Sequence, residues 1–103
     1  MVKFVVCFKH PKDSGKFENS YQDFLALVER LPNIQRRQVV HVIGSPQGKA
    51  DYFRILELYF ADAETLQQTL LTPQGQEAGA ELARFDVGSV VIYFGDVYEE
   101  IRT

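Results

Sequence analysis

Hydrophobic and polar positions follow two rhythms along the chain, one of period two and one of period three to four. In "VKFVVCFK" (residues 2–9) apolar side chains occupy both parities, which predicts a strand apolar on both faces. Val2 to Lys9 is the first strand, closed by Pro11. Phe17, Tyr21, Phe24, Val28 and Leu31 then recur at spacings of four, three, four and three, one face of a helix. Asp13-Ser14 caps that helix, and Pro32 stops it, because proline lacks the N–H to continue and restricts Leu31. Ile34 to Ile43 is a second strand, and "GSPQGKAD" after it is a turn-rich hairpin loop. Asp51 to Phe60, "DYFRILELYF", is the third. Asp62 caps a further helix, with Glu64 in its first turn and Leu66, Leu70 and Leu71 along it. Thr72-Pro73 restarts it, a threonine cap with proline at the first helical position, and Ala78, Leu82 and Phe85 follow. Val87 to Val97 is the last strand.

The order is β-α-β-β-α-β with the second helix in two pieces, the ferredoxin-like unit of the α+β class. A four-stranded antiparallel sheet with its helices on one face is expected, in a single domain over residues 1–103. A monomeric sheet of this kind alternates apolar-in and polar-out. Here "FVVCF", "RILELYF" and "VVIYF" are apolar at successive positions. The helices cover one face, so a second copy of the sheet is expected on the other, giving a homodimer. Parity places Phe4, Val6, Phe8, Leu56 and Leu58 against the helices. Val5, Cys7, Phe53, Ile55, Glu57 and Tyr59 then face the partner. A mid-strand charge such as Glu57 is costly there unless paired, so it is expected to accept hydrogen bonds from the partner chain, Arg37 or Gln38.

Composition narrows the function classes. With 46% hydrophobic and 24% charged residues in 103, this is an ordinary globular chain. A formal net charge of −3 argues against a nucleic-acid partner, which requires a positive field. Lys9, Lys12, Lys16 and the Arg36-Arg37 pair are assigned to solvated surface. No apolar run reaches membrane-spanning length or makes a signal peptide, so a cytoplasmic location without membrane association is expected. Cys7 is the single cysteine, which excludes an intrachain disulfide and a multi-cysteine metal site, and its apolar strand makes it a buried hydrophobe. The acids show no metal-ligand spacing, and no metal or cofactor is expected. "GSPQG" is not a nucleophile elbow, because Ser45 is not central and the loop joins two strands.

The run "SPQGKADYFRILELYFADAETLQQTLLTPQGQEAGAELARF", with "MVKFVVCFKHP" and "LPNIQRRQVVHVIG" before it, resembles the EthD-like proteins of the dimeric α+β barrel superfamily. The resemblance covers nearly the whole chain and implies two ferredoxin-like sheets closing into a barrel. The family is named for an ethyl tert-butyl ether degradation cluster, where it accompanies an oxidative cytochrome system. Wider relatives include muconolactone isomerases, cofactor-free monooxygenases, polyketide cyclases and haem-dependent enzymes, and fold alone does not choose among them. Family members commonly carry His-x-Pro on the first helix shortly before the "LP" that ends it. The matching positions here are Phe24-Leu25-Ala26, and the segment after Tyr21 is one residue shorter.

A small ligand is therefore expected between sheet and first helix, in a pocket formed by Tyr21, Phe24, His41, Arg54, Leu56 and Leu58. Arg54 would face a carboxylate or phenolate, Tyr21 a carbonyl, and His41 could serve as acid or base near neutral pH. The bland alternatives are an Arg54 paired with a nearby acid, a Tyr21 packed in the core and a His41 packed or at the surface of an edge strand. The functional expectation is a protein that binds or acts on a hydrophobic, oxygenated small molecule, as an accessory to oxidative degradation. A structural homodimer whose pocket is filled by its own side chains is the alternative. The sequence leaves open whether the chain is an enzyme.

Overall fold

Aspartate, threonine and proline set the element boundaries. The computed structural model describes residues 1–101, and residues 102 and 103 of the expected domain lie outside the described residues. Strand β1 (Val2–Lys9) is followed by helix α1 (Ser14–Val28), whose cap Asp13 accepts the Lys16 N–H at 3.1 Å. Strands β2 (Arg36–His41) and β3 (Tyr52–Phe60) form the hairpin. Asp62 caps α2 (Ala63–Leu71), accepting the Thr65 N–H at 2.8 Å. Thr72 caps α3 (Pro73–Leu82), accepting the Gly75 N–H at 3.0 Å. Strand β4 (Val90–Asp96) closes the sheet.

The four strands are antiparallel in the order β2-β3-β1-β4, the ferredoxin-like arrangement. Two strands are shorter than expected. The ladder around β2 continues only to Gln35 and Val42, which donate to Tyr59 O at 2.9 Å and Phe53 O at 3.2 Å. Before β4, Ser89 N closes a turn on Asp86 O at 3.0 Å, with Gly88 at φ 77°, and Val87 stands fully exposed at its tip. Among the described residues no helix is long and apolar enough to cross a membrane.

The core lies between the helices and one face of the sheet. Val6, Phe8, Leu56, Leu58 and Phe60 from the strands meet Phe17, Tyr21, Phe24 and Val28 of α1, with Leu66, Ala78 and Leu82 from α2 and α3. Parity sorts β1 correctly, and β3 from Phe60 back to Arg54. The β1–β3 register shifts between Phe8, opposite Arg54, and Lys9, opposite Tyr52, so Phe53 is the extra residue of a bulge. Its ring turns to the helix side and meets Phe17 edge-on at 5.5 Å. Phe53 thus belongs to the core layer and not to the opposite face, where it was expected.

Helix α2 turns into α3 at a close backbone approach. A Cβ on Gly75 would sit 2.6 Å from the Leu70 carbonyl oxygen and closer still to that of Thr69. Only glycine fits there.

Candidate functional site

Between the sheet and helices α1 and α3 lies a cavity of about 280 Å³. Phe4, Leu58 and Ile92 form its sheet wall, Phe24 and Val28 its α1 wall, and Gly75, Ala78, Gly79 and Leu82 its α3 wall. Glycine within a helix is less favourable than alanine by about 0.5–1 kcal/mol, through the extra freedom lost on folding. A Cβ on Gly79 would meet nothing within 4 Å, so no close approach requires this glycine; it faces open space. Gln76 is the polar side chain of the lining, and its Nε2 donates to the Leu71 carbonyl at 3.2 Å.

Of the expected pocket residues, Phe24 and Leu58 line this cavity. Leu56 does not: it is fully buried beneath the helices. Tyr21, Arg54 and His41 gather two rows further along the sheet. Arg54 lies opposite Phe8 in β1 and His41 in β2, and Tyr21 meets Phe8 edge-on at 5.5 Å. His41 is exposed, because β2 is an edge strand that the helices do not cover. Sequence reasoning missed Gly79 and Ile92. A glycine inside a run otherwise suited to a helix was the available signal for the first.

Arg54 is buried, and both of its terminal nitrogens are taken by Glu18 of α1. Nη1 donates to Oε1 at 2.5 Å and Nη2 to Oε2 at 3.0 Å. The guanidinium also stands 4.7 Å from the Tyr21 ring centroid and 5.2 Å from that of Phe53. This is a paired arginine in an aromatic box, not an open anion fork, so the bland alternative describes it. Among the described residues Tyr21 Oη and Arg54 Nε are buried without a hydrogen-bond partner. Burial raises the Tyr21 pKa, although the charges of Arg54 and Arg37 oppose it.

The hydrogen bonds from Arg54 hold the Glu18 carboxyl below its ordinary range, with the charges of Arg54 and His41 assisting and desolvation opposing. A carboxyl lowered on folding stabilises the fold above its unfolded pKa. That contribution is lost as pH falls through the folded value. Wild-type stability is therefore expected to decline below about pH 4.3, and Glu18→Gln should flatten that part of the pH profile in denaturant melts. Superimposable profiles would show that the pair contributes nothing.

No family model matches the chain. An uncharacterised 11.0 kDa protein from the thcB–thcC intergenic region of Rhodococcus erythropolis is 26% identical over 97 residues, covering 93% of this chain and 94% of that protein. A crystal structure of an EthD family protein from Bacillus halodurans is similar at a TM-score of 0.89 and 26% identity, covering 95% of this chain and 99% of that one. The chain is EthD-like. A dimeric ferredoxin-like protein of unknown function from Jannaschia shares the fold at a TM-score of 0.72 and 16% identity, covering 93% of this chain and 98% of that one.

The face of the EthD-like sheet turned away from the helices differs from expectation in what it exposes. Val5, Cys7 and Tyr59 are already buried within one chain. Polar side chains lie beside them. Lys3 Nζ donates to Glu57 at 3.2 Å, and the Tyr59 hydroxyl lies 3.1 Å from Glu57 and 2.9 Å from Gln38 Oε1, its one proton serving one acceptor at a time. Arg36 stacks 4.5 Å over the Tyr59 ring. Glu57 is thus satisfied by Lys3 and Tyr59 of its own chain. Arg37, opposite Leu58 in the register, points to the other face and pairs with Glu29 at 3.4 Å. Burial and the charge of Glu57 push the Cys7 thiol up, which keeps it protonated. The apolar band is the row Val40–Ile55–Cys7–Val91 across all four strands, with Tyr93 half exposed beside it.

Proposed function

We propose that this EthD-like chain is a homodimeric binding protein for a small, hydrophobic, oxygenated molecule, held in the cavity beside Gly79. The cavity itself carries the reading: about 280 Å³ between sheet and helices, walled by phenyl and alkyl groups and open to solvent where Gly79, Gln76 and Ile92 are exposed. Mostly apolar lining with few polar groups is what small-molecule pockets use. Gln76 supplies an amide for a ligand oxygen. Phe24, which stands where the resemblance places a histidine, can neither accept nor donate a proton, so the lining favours binding over proton-transfer catalysis. The open space also favours this reading over a pocket filled by the protein's own side chains.

An accessory role in oxidative degradation of organic compounds fits the likeness to an EthD family protein. Dimerisation through the sheets is supported by the apolar row at Ile55 and by the dimeric description of the Jannaschia protein.

Thermal shift tests the pocket. Small ethers, phenols and quinones should raise the melting temperature of the wild type, and Gly79→Leu, which fills the space, should abolish that rise. Equal ligand-induced shifts in both proteins would remove the cavity from the binding site.

A further inference from the structure

A second recess, of about 310 Å³, opens at the N-terminal end of α1 and shares none of its lining with the cavity beside Gly79. We infer that it binds a small aromatic carboxylate. Its floor is the partly exposed ring of Phe85, backed by two core rings: Phe8 lies 5.2 Å and Phe17 6.0 Å from Phe85, centroid to centroid, and both are buried. Its rim is cationic, with Lys9, Lys12, Lys16 and Arg84 drawn together from the end of β1, the start of α1 and the segment after α3.

The charge there runs against that of the whole chain, whose formal net charge is −3. Two carboxylates, Asp13 and Asp86, share the rim with the four cations. Asp13 is engaged as the α1 cap, where Oδ1 accepts the Lys16 N–H. Arg84 pairs with Glu81 at 3.4 Å, whereas Lys9, Lys12 and Lys16 form no ion pair among the described residues. Three ammonium groups free to meet an anion thus surround the partly exposed Phe85 ring, with Phe8 and Phe17 buried behind it. An aromatic acid satisfies both parts, its ring on the floor and its carboxylate at the rim. The volume lies at the lower end of small-molecule sites and suits one or two fused rings. The charges are solvent-exposed, so binding is expected to be weak and to fall with added salt.

The test is an amide-resolved NMR titration of the full chain with 2-naphthoate and with its methyl ester at low salt. Naphthoate should move the Lys12, Lys16, Phe85 and Ser89 signals. The double variant Lys12→Glu/Lys16→Glu should weaken that response about tenfold, a few-fold for each reversed charge. The ester should be insensitive to the same double variant. Equal binding of acid and ester, wild-type affinity in the double variant, or shifts confined to Gly79 and Ile92 would overturn the inference. Because the two cavities report through different amides, failure here is distinct from failure of the Gly79 pocket.

Discussion

Gly75→Ala is expected to destabilise the protein by about 2–3 kcal/mol, the upper range for overpacking, because the added methyl meets backbone rather than a side chain that can swing away. The Thr69 and Leu70 carbonyls stand too close for a Cβ, and both belong to the turn that α2 makes into α3. Relief requires the two helices to separate, which disturbs Thr72, whose hydroxyl donates to Thr69 O at 2.6 Å and accepts from Gly75 N. The melting temperature should fall on the order of 10–20 °C. Gly79→Ala, four residues on, should do the reverse, gaining about 0.5–1 kcal/mol from helix propensity with no clash. Similar losses in the two variants would show that Gly79 is also pressed by a neighbour.

Ile55→Asp should convert the proposed homodimer to monomer. Ile55 sits centrally in the row with Val40, Cys7 and Val91, and in the proposed sheet-to-sheet dimer an aspartate there would be buried against the same apolar row of a second copy. An uncompensated buried charge costs about 3–5 kcal/mol, enough to weaken association about 100-fold or more. Replacing Val5 should behave differently, since it is buried within the single chain and its loss would lower protomer stability first. Sedimentation of Ile55→Asp distinguishes the cases, and a dimer of wild-type affinity would move the interface away from this row.

Local chemistry was legible and cross-strand geometry was not. Asp13, Asp62 and Thr72 cap where their positions predict, because a cap depends on the three or four residues beside it. The face of each β3 side chain follows from parity as far as Arg54. Parity fails at Phe53, where a bulge set by pairing with β1 inserts one residue. The covering of Tyr59 depends on Arg36 and Gln38, which only the β2–β3 register brings to it. The pairing of Arg54 with Glu18 joins residues 36 positions apart and was equally hidden. At the candidate site, helix spacing found Phe24 and strand parity found Leu58. Ile92 was hidden in a last strand, "VVIYF", that is apolar at both parities, and Gly79 announced itself only as an unfavourable residue in a helix.

The most direct measurement of the central claim is a methyl-resolved NMR titration of wild type and Gly79→Leu with a small hydrophobic ether or phenol. The expected result is movement of the Val28, Leu58, Leu82 and Ile92 methyls in the wild type and none in the variant, because these four side chains and Gly79 wall the same 280 Å³. Movement of the same methyls in Gly79→Leu, or a wild-type response restricted to Val40, Ile55 and Val91 on the opposite face, would contradict it.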